Sequence, residues 1–482
     1  MRGLRHARLR MTDAGATHTH SMSSLVNHTA GPSPWRAELR ATVTLALPIA
    51  ATQLAQVAIV TTNVLMIGHL GPEALAAGAL GVNIFFLLSV FCTGVLLATA
   101  PMVAQAIGRG RHVVRDARRS VRQALWVSVL LGLPASVVIW NTAPVLERLG
   151  QEPAIAAAAQ TYARVAMWGF VPLLWFTVLR SFVSALQRPN LALFAILIAF
   201  VANAAVGWVL IFGHLGLPAW GLAGAGAGAA TANTLTFLVL LAMVLWDRRL
   251  RRFALFGRMW RPDWARFRDV LRIGIPIGTT LVLESAMFSS AIVMMGWIGT
   301  ASLAAHQIAI QCAITAFMVP LGVAHAVTVR VGIAAGAGDG PGVRRAGYVG
   351  LVLGAAFMCM TASLFWGIPE RLIGLFIDKD APGNAEVVGL AISFLAVAAL
   401  FQVVDALQAV GQGALRGLKD TRVPMLMAMF GYWVVGVPTG ALLAFKAGLG
   451  GIGLWLGLAV GLAVVAVLVV GRFHRRAVQW RG

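Results

Sequence analysis

Charge is what this sequence lacks. Only 11% of its 482 residues are Asp, Glu, Lys or Arg, while 59% are hydrophobic, against about 25% charged in an ordinary soluble domain. A water-soluble globule is excluded. Cysteine is scarce too: Cys92, Cys312 and Cys359 lie inside apolar stretches with no CxxC or other ligand spacing, so neither a disulfide framework nor a metal-thiolate site is expected. No HExxH, GxSxG or Walker GxxxxGK[ST] pattern occurs. That speaks against the commonest membrane-enzyme chemistries and against self-powered ATP-driven transport. Lysine is limited to Lys379, Lys419 and Lys446. The formal charge of +21 would suggest nucleic acid in a soluble chain, but there is no aromatic interleaving or zinc-finger spacing to support it, and no nucleic-acid partner is expected.

Long apolar runs fill the rest. A bilayer-spanning helix needs about 20 apolar residues, and twelve fit, near 41–68, 78–106, 121–142, 162–186, 191–213, 221–246, 272–298, 305–334, 346–368, 388–413, 423–445 and 450–471. The fold class expected is an all-α integral membrane protein. Numbering the gaps alternately puts 33 of the 38 basic residues on one side, with Arg180, Arg188 and Arg416 counted among its loops. The other side keeps five, beside seven acids. Positive loops stay cytoplasmic, so both termini are expected in the cytoplasm. Residues 1–35 read as a disordered cytoplasmic tail without a signal-peptide pattern, and 472–482 as a short C-terminal tail.

The chain also repeats itself. A shift of 228 lays Leu47–Gly78 over Ile275–His306 without a gap, pairing Pro48 with Pro276, Thr52 with Thr280, Gly68 with Gly296 and Gly71 with Gly299. Two pseudo-symmetric six-helix bundles follow, 36–246 and 272–471, joined by the basic segment 247–271. Because six is even, both halves run the same way through the bilayer, a parallel repeat of the kind found in transporters with the site between the halves. Pro48 and Pro276 each remove a helical hydrogen bond and are candidate hinges. The stripe Gly453, Gly457, Gly461 and the pair Gly224, Gly228 suit close helix packing, read as packing within one chain; a monomer is expected.

Among seventeen acids, Glu284 and Asp405 alone fall mid-span, both in the second half. An ionisable group at that depth costs at least about 2.5–3.5 kcal/mol. No Lys or Arg is expected mid-span in that half to neutralise them. Burial favours a protonated carboxyl and a cation or water the ionised one, so such a pair could take up and release H⁺ or Na⁺. One charge crossing 100 mV yields about 2.3 kcal/mol, enough to sustain a substrate gradient of several tens-fold. Phe288 and Phe401 lie one helical turn from the two acids, where rings could meet a cation. Gln53, Gln56 and Asn63 share a stripe of the first span, Gln56 being the repeat counterpart of Glu284; Asn203, Asn233, His306, Gln307 and Gln311 add uncharged polarity.

LALPIAATQ, NVLMIGHLGPEALAA, SLAAHQIAIQ and above all DALQAVGQGALRGLKDTRVPM (Asp405–Met425), in this order, resemble the multidrug and toxic compound extrusion (MATE) family, NorM-like branch. The resemblance covers roughly 40–470. It implies an inner-membrane antiporter that exports cationic or amphipathic drugs by alternating access in exchange for Na⁺ or H⁺, with no other cofactor. It matches Glu284 and Asp405 to a second-half cation site, Pro48 to a bending proline and Asn203 to the first Asn of a fifth-helix pair. Three positions depart from the pattern: Asn63 stands where many relatives have Asp, Gly207 replaces the second Asn, and Phe401 replaces a Tyr. The ion site is therefore expected in the second half. The alternatives are a lipid-linked oligosaccharide flippase of the same superfamily, disfavoured because the basic residues read as loop residues, and an integral-membrane enzyme.

Overall fold

The computed structural model describes residues 33–480 apart from 258, 380 and 382, so most of the expected N-terminal tail lies outside the described residues. Among the described residues, twelve helices are long and apolar enough to cross a membrane: α1 Pro34–Gly68, α2 Pro72–Gly108, α3 Val113–Trp140, α4 Pro153–Ala185, α5 Asn190–Phe212, α6 Leu222–Trp246, α7 Trp264–Ile298, α8 Thr300–Gly336, α9 Gly340–Gly367, α10 Ala385–Gly417, α11 Arg422–Lys446 and α12 Gly450–Gln479. Large apolar side chains such as Leu47, Val201 and Val467 lie exposed in the middle of these helices, as lipid-facing positions should.

Each expected span has its helix, and the polar ends are where the boundaries differ. Helices α3, α4 and α7 begin about two turns earlier than their apolar stretches, and α12 runs through the supposed C-terminal tail to Gln479. The ends of α3, α7 and α12 are held by charge pairing. Arg472 Nε donates to Asp420 at 2.8 Å, and Arg266 bonds Asp116 at 2.8 Å. Side-chain caps mark some of the other starts: the Ser33 hydroxyl accepts from Arg36 N–H just before Pro34, and Asp339 accepts from Gly342 N–H at the start of α9. Gly71 (φ 107°) and Gly299 (φ 156°) precede α2 and α8, so the paired glycines serve the same turn in each half.

The repeat is visible in the packing. Helix α10 packs against α8, α9 and α12 in the second half, and α6 packs against α4 and α5 in the first. The main contacts between halves are α1 with α8, α2 with α7 and the end of α2 with α8; the first two exchange into each other when the halves are swapped, and the third maps onto itself. Local detail repeats as well: Thr52 Oγ1 donates to the Pro48 carbonyl and Thr280 Oγ1 to the Pro276 carbonyl, both at 2.8 Å. Each hydroxyl lies one turn beyond its proline, whereas the carbonyl that the proline leaves without a helical donor lies one turn before it. The glycine stripe of α12 lies against α11, where a Cβ at Gly457 would come within 2.2 Å of Gly440 Cα.

The halves are sealed at one end. Among the described residues, the hydrogen bonds joining them cluster where odd-numbered helices start and even-numbered ones finish, which is the arginine-rich side. Arg330 forks onto Glu38 at 2.7 and 2.6 Å, Gln105 Nε2 donates to the Gly417 carbonyl at 2.9 Å, and Arg119 bonds Asp263 at 2.7 Å. The 247–271 connection is pinned at the same end by Arg188 on Asp247. Burial opposes ionisation of Asp247, but the Arg249 and Leu250 amides and the Arg188 guanidinium outweigh it and hold this carboxyl below the usual range.

Candidate functional site

In the second half, α7 carries Glu284 and α10 carries Asp405, and the structure brings the two carboxyls within electrostatic range of each other. Asp405 is 5% exposed and Glu284 is half-buried. Helical spacing supplies their neighbours, since Asp405, Gln408, Gln412 and Arg416 fall at i, i+3, i+7 and i+11 on one face of α10. Gln408 Nε2 meets the Tyr432 hydroxyl, and Arg416 donates to Gln412 Oε1 at 2.9 Å. Tyr432 is fully buried within the π-helical stretch Phe430–Gly436 of α11, and Trp433 Nε1 ties that stretch to the Leu283 carbonyl beside Glu284 at 3.3 Å. Asp405 Oδ1 and Gln408 Oε1 are buried acceptors without a hydrogen-bond donor. The carboxyls, the tyrosine hydroxyl and the amide oxygen make an all-oxygen donor set suited to a hard monovalent cation or a proton.

Two expectations are corrected at this point. Arg416 is not in a loop: it is 8% exposed in the last turn of α10 and acts electrostatically on Glu284, so the second half does hold a cation near its acids. Nor is Arg180 a loop residue. It lies inside α4 and donates to Gln53 Oε1 at 2.7 Å and Gln56 Oε1 at 3.3 Å. Both were assigned to loops because they stand within two turns of a helix end. Their side chains turn inward.

The remaining candidates separate into two groups. In the first half, Gln56 and Asn63 line a cavity of about 190 Å³ with Phe85, Phe86 and Phe176, and Asn203 Nδ2 donates to Asn63 Oδ1 at 2.8 Å. In the second half, Phe401 (2% exposed) and His306 (0% exposed) pack against Trp455, with ring centroids 5.5 and 5.4 Å away. Phe288 packs against the apolar core, and Gln307 is exposed. None of these four lines that first-half cavity. Among the described residues no cluster of three or more His, Cys, Asp or Glu could hold a metal ion. Tyr432, Gln408, Gln412, Arg416, Arg180 and His325 were missed. The spacing from Asp405 to Arg416 was the available signal for three of them.

A second, smaller cavity lies at the sealed end between the halves, lined by Arg180, Ser184, His325, Thr328 and Arg416. Twelve apolar spans in two repeated bundles, with polar cavities and paired acids inside, define a polytopic membrane protein of transporter architecture. The chain matches MatE over residues 48–209 and 276–442, two segments that begin at the paired prolines. It is 50% identical over 442 residues to a "Probable multidrug resistance protein NorM" of Mesorhizobium japonicum, covering 92% of this chain and 95% of that one. It is 43% identical to one so named in Pseudomonas aeruginosa, covering 90% and 89%. Among solved structures, a eukaryotic MATE transporter superposes with TM-score 0.81 at 21% identity, covering 93% of this chain and 99% of that one. An outward-facing multidrug resistance MATE family transporter of the MOP superfamily superposes with TM-score 0.82 at 20% identity, covering 92% and 96%; both show the same fold. The chain belongs to the MatE family.

Proposed function

We propose that this protein is a secondary antiporter that exports cationic or amphipathic small molecules in exchange for Na⁺ or H⁺. The observation that carries the reading is the Glu284 and Asp405 pair, in which Asp405 Oδ1 is an unpartnered acceptor, with the unpartnered Gln408 Oε1 one turn along α10. Ion uptake there neutralises repulsion between the acids and draws α7 and α10 together; release lets them separate. The first-half cavity, walled by Phe85, Phe86 and Phe176 with Gln56 and Asn63 among them, suits an aromatic cation. Pro48 and Pro276 give α1 and α7 the freedom to bend in alternating access. On this reading the halves are 36–246 and 272–471 joined by 247–271, the chain works as a monomer in an inner membrane with both termini cytoplasmic, and the coupling ion is its sole cofactor. The relatives' names support small-molecule export rather than catalysis.

The deciding experiment is uptake of a cationic dye by proteoliposomes under an imposed Na⁺ gradient and then an imposed pH gradient. One of the two should drive dye movement, and Glu284→Gln with Asp405→Asn should abolish it. Full transport by that double variant, or no driven flux in the wild type, refutes the reading. A lipid-linked oligosaccharide flippase is the second reading, because the cavity between the halves holds Arg180 and Arg416; flux of a headgroup-labelled lipid without dye transport would favour it.

A further inference from the structure

The cavity at the sealed end has a one-sided charge. Helix α4 supplies Arg180 and Ser184, α8 supplies His325 and Thr328, and α10 supplies Arg416, and among the described residues no Asp or Glu lines it. Arg180 spends its hydrogen bonds on the neutral amides of Gln53 and Gln56, and Arg416 bonds Gln412. The carboxylate that reaches Arg416 electrostatically is Glu284, which lines the ion site rather than this cavity. His325 leaves Nε2 buried without a partner. Guanidinium groups out of water are costly unless an anion answers them, and their planar fork matches the paired oxygens of a carboxylate or phosphate.

Size narrows the ligand. The cavity measures about 30 Å³, room for one or two waters or one compact anionic group, and too little for a drug-sized body. Yet it adjoins the larger space. Arg180 binds Gln56 and lies 5.8 Å from the Phe176 ring centroid, and both Gln56 and Phe176 line the 190 Å³ cavity.

We propose that this cavity is a binding site for a single anionic group, a carboxylate or a phosphate, gripped between Arg180 of the first half and Arg416 of the second with His325 as a third contact. The molecule that carries it places an apolar aromatic body against Phe176 in the larger cavity. The proposal rests on the export reading for what the molecule is, and on the arginine geometry for how it is held.

The test uses the full chain in phosphatidylcholine nanodiscs and two xanthylium dyes that differ at one group, a free benzoic acid and its methyl ester. The wild type should bind the acid about tenfold more tightly, the scale of a charge-assisted hydrogen bond, and Arg180→Gln and Arg416→Gln should each remove that preference. Sodium benzoate should displace the acid dye where benzamide at equal concentration does not, a comparison that needs no variant and decides the question even where a substitution prevents folding. Equal affinity for acid and ester, failure of benzoate to compete, or an acid preference that survives Arg180→Gln overturns the anion site while leaving the export reading standing. Binding of neither dye refutes the export reading and with it the site. Repeating the titration in phosphatidylglycerol nanodiscs separates the sources of the anion. Loss of the acid's advantage there identifies a lipid headgroup phosphate as occupant, and its persistence identifies a free carboxylate; both outcomes keep the site.

Discussion

At the scale of single residues, the polar stripe Asp405, Gln408, Gln412, Arg416 links the paired acids to the cavity between the halves. Tyr432→Phe should weaken the proposed ion site without unfolding it, since the ring stays and only one candidate oxygen ligand is lost. Half-maximal ion concentration for driven dye transport should rise about tenfold, the scale of one hydrogen bond to a charged group; an unchanged value would remove Tyr432 from the site. Outside the membrane, Lys419 follows α10 in left-handed backbone (φ 59°), and burial, then Arg109, pushes its ammonium down to about 8. An ordinary lysine titrates near 10.4. The charged form is thus penalised in the folded state below about pH 8, and the penalty fades as pH rises from there toward 10.4. With Lys379 and Lys446 replaced by Arg, acylation of Lys419 followed by peptide mass spectrometry should show a midpoint near pH 8. A midpoint near 10 would contradict its burial.

At the scale of elements, α11 and α12 meet through glycine. A Cβ on Gly457 would come within 2.2 Å of Gly440 Cα, whereas one on Gly389 of α10 meets nothing within 4 Å. Gly457→Ala should therefore destabilise by about 1–3 kcal/mol, read as a lower melting temperature in detergent. Gly389→Ala should be neutral or stabilising by up to about 1 kcal/mol. Similar losses in both would mean that α11 and α12 are not in backbone contact. Much at this scale was legible in the sequence. Apolar length located every span, and the ungapped pairing of Pro48 with Pro276 revealed the repeat, because both properties are local. The π-helical stretch around Tyr432 was not legible: Pro438 signals a disrupted helix, but which turn widens depends on the neighbours it packs against. Arg180 and Arg416 were misread for a related reason. A basic residue near a span's end is equally compatible with a headgroup and with an interior cavity, and the choice lies in rotational phase, which periodicity in an all-apolar helix does not reveal. Glu284 and Asp405 could be singled out from the sequence because a mid-span acid is rare whichever way it faces.

At the scale of the whole molecule, the halves meet at the arginine-rich end through Glu38 on Arg330 and Gln105 on the Gly417 carbonyl. Arg330→Gln should loosen that end by about 1 kcal/mol, typical of an ion pair with partial solvent access. In a chain whose three native cysteines are replaced, a cysteine at Ser184, which lines the cavity behind the seal, should then react a few-fold faster with an impermeant maleimide applied from the arginine-rich face. No acceleration would show that the ion pair does not hold the seal.

The cavity behind that seal takes Arg180 from one half and Arg416 from the other. Any motion that parts the halves at this face carries the two guanidinium groups away from each other and leaves two incomplete claws. Whatever negative group sits between them then works as mortar: it lengthens the time the molecule rests shut on this face, and it lets go only when the joint itself gives way.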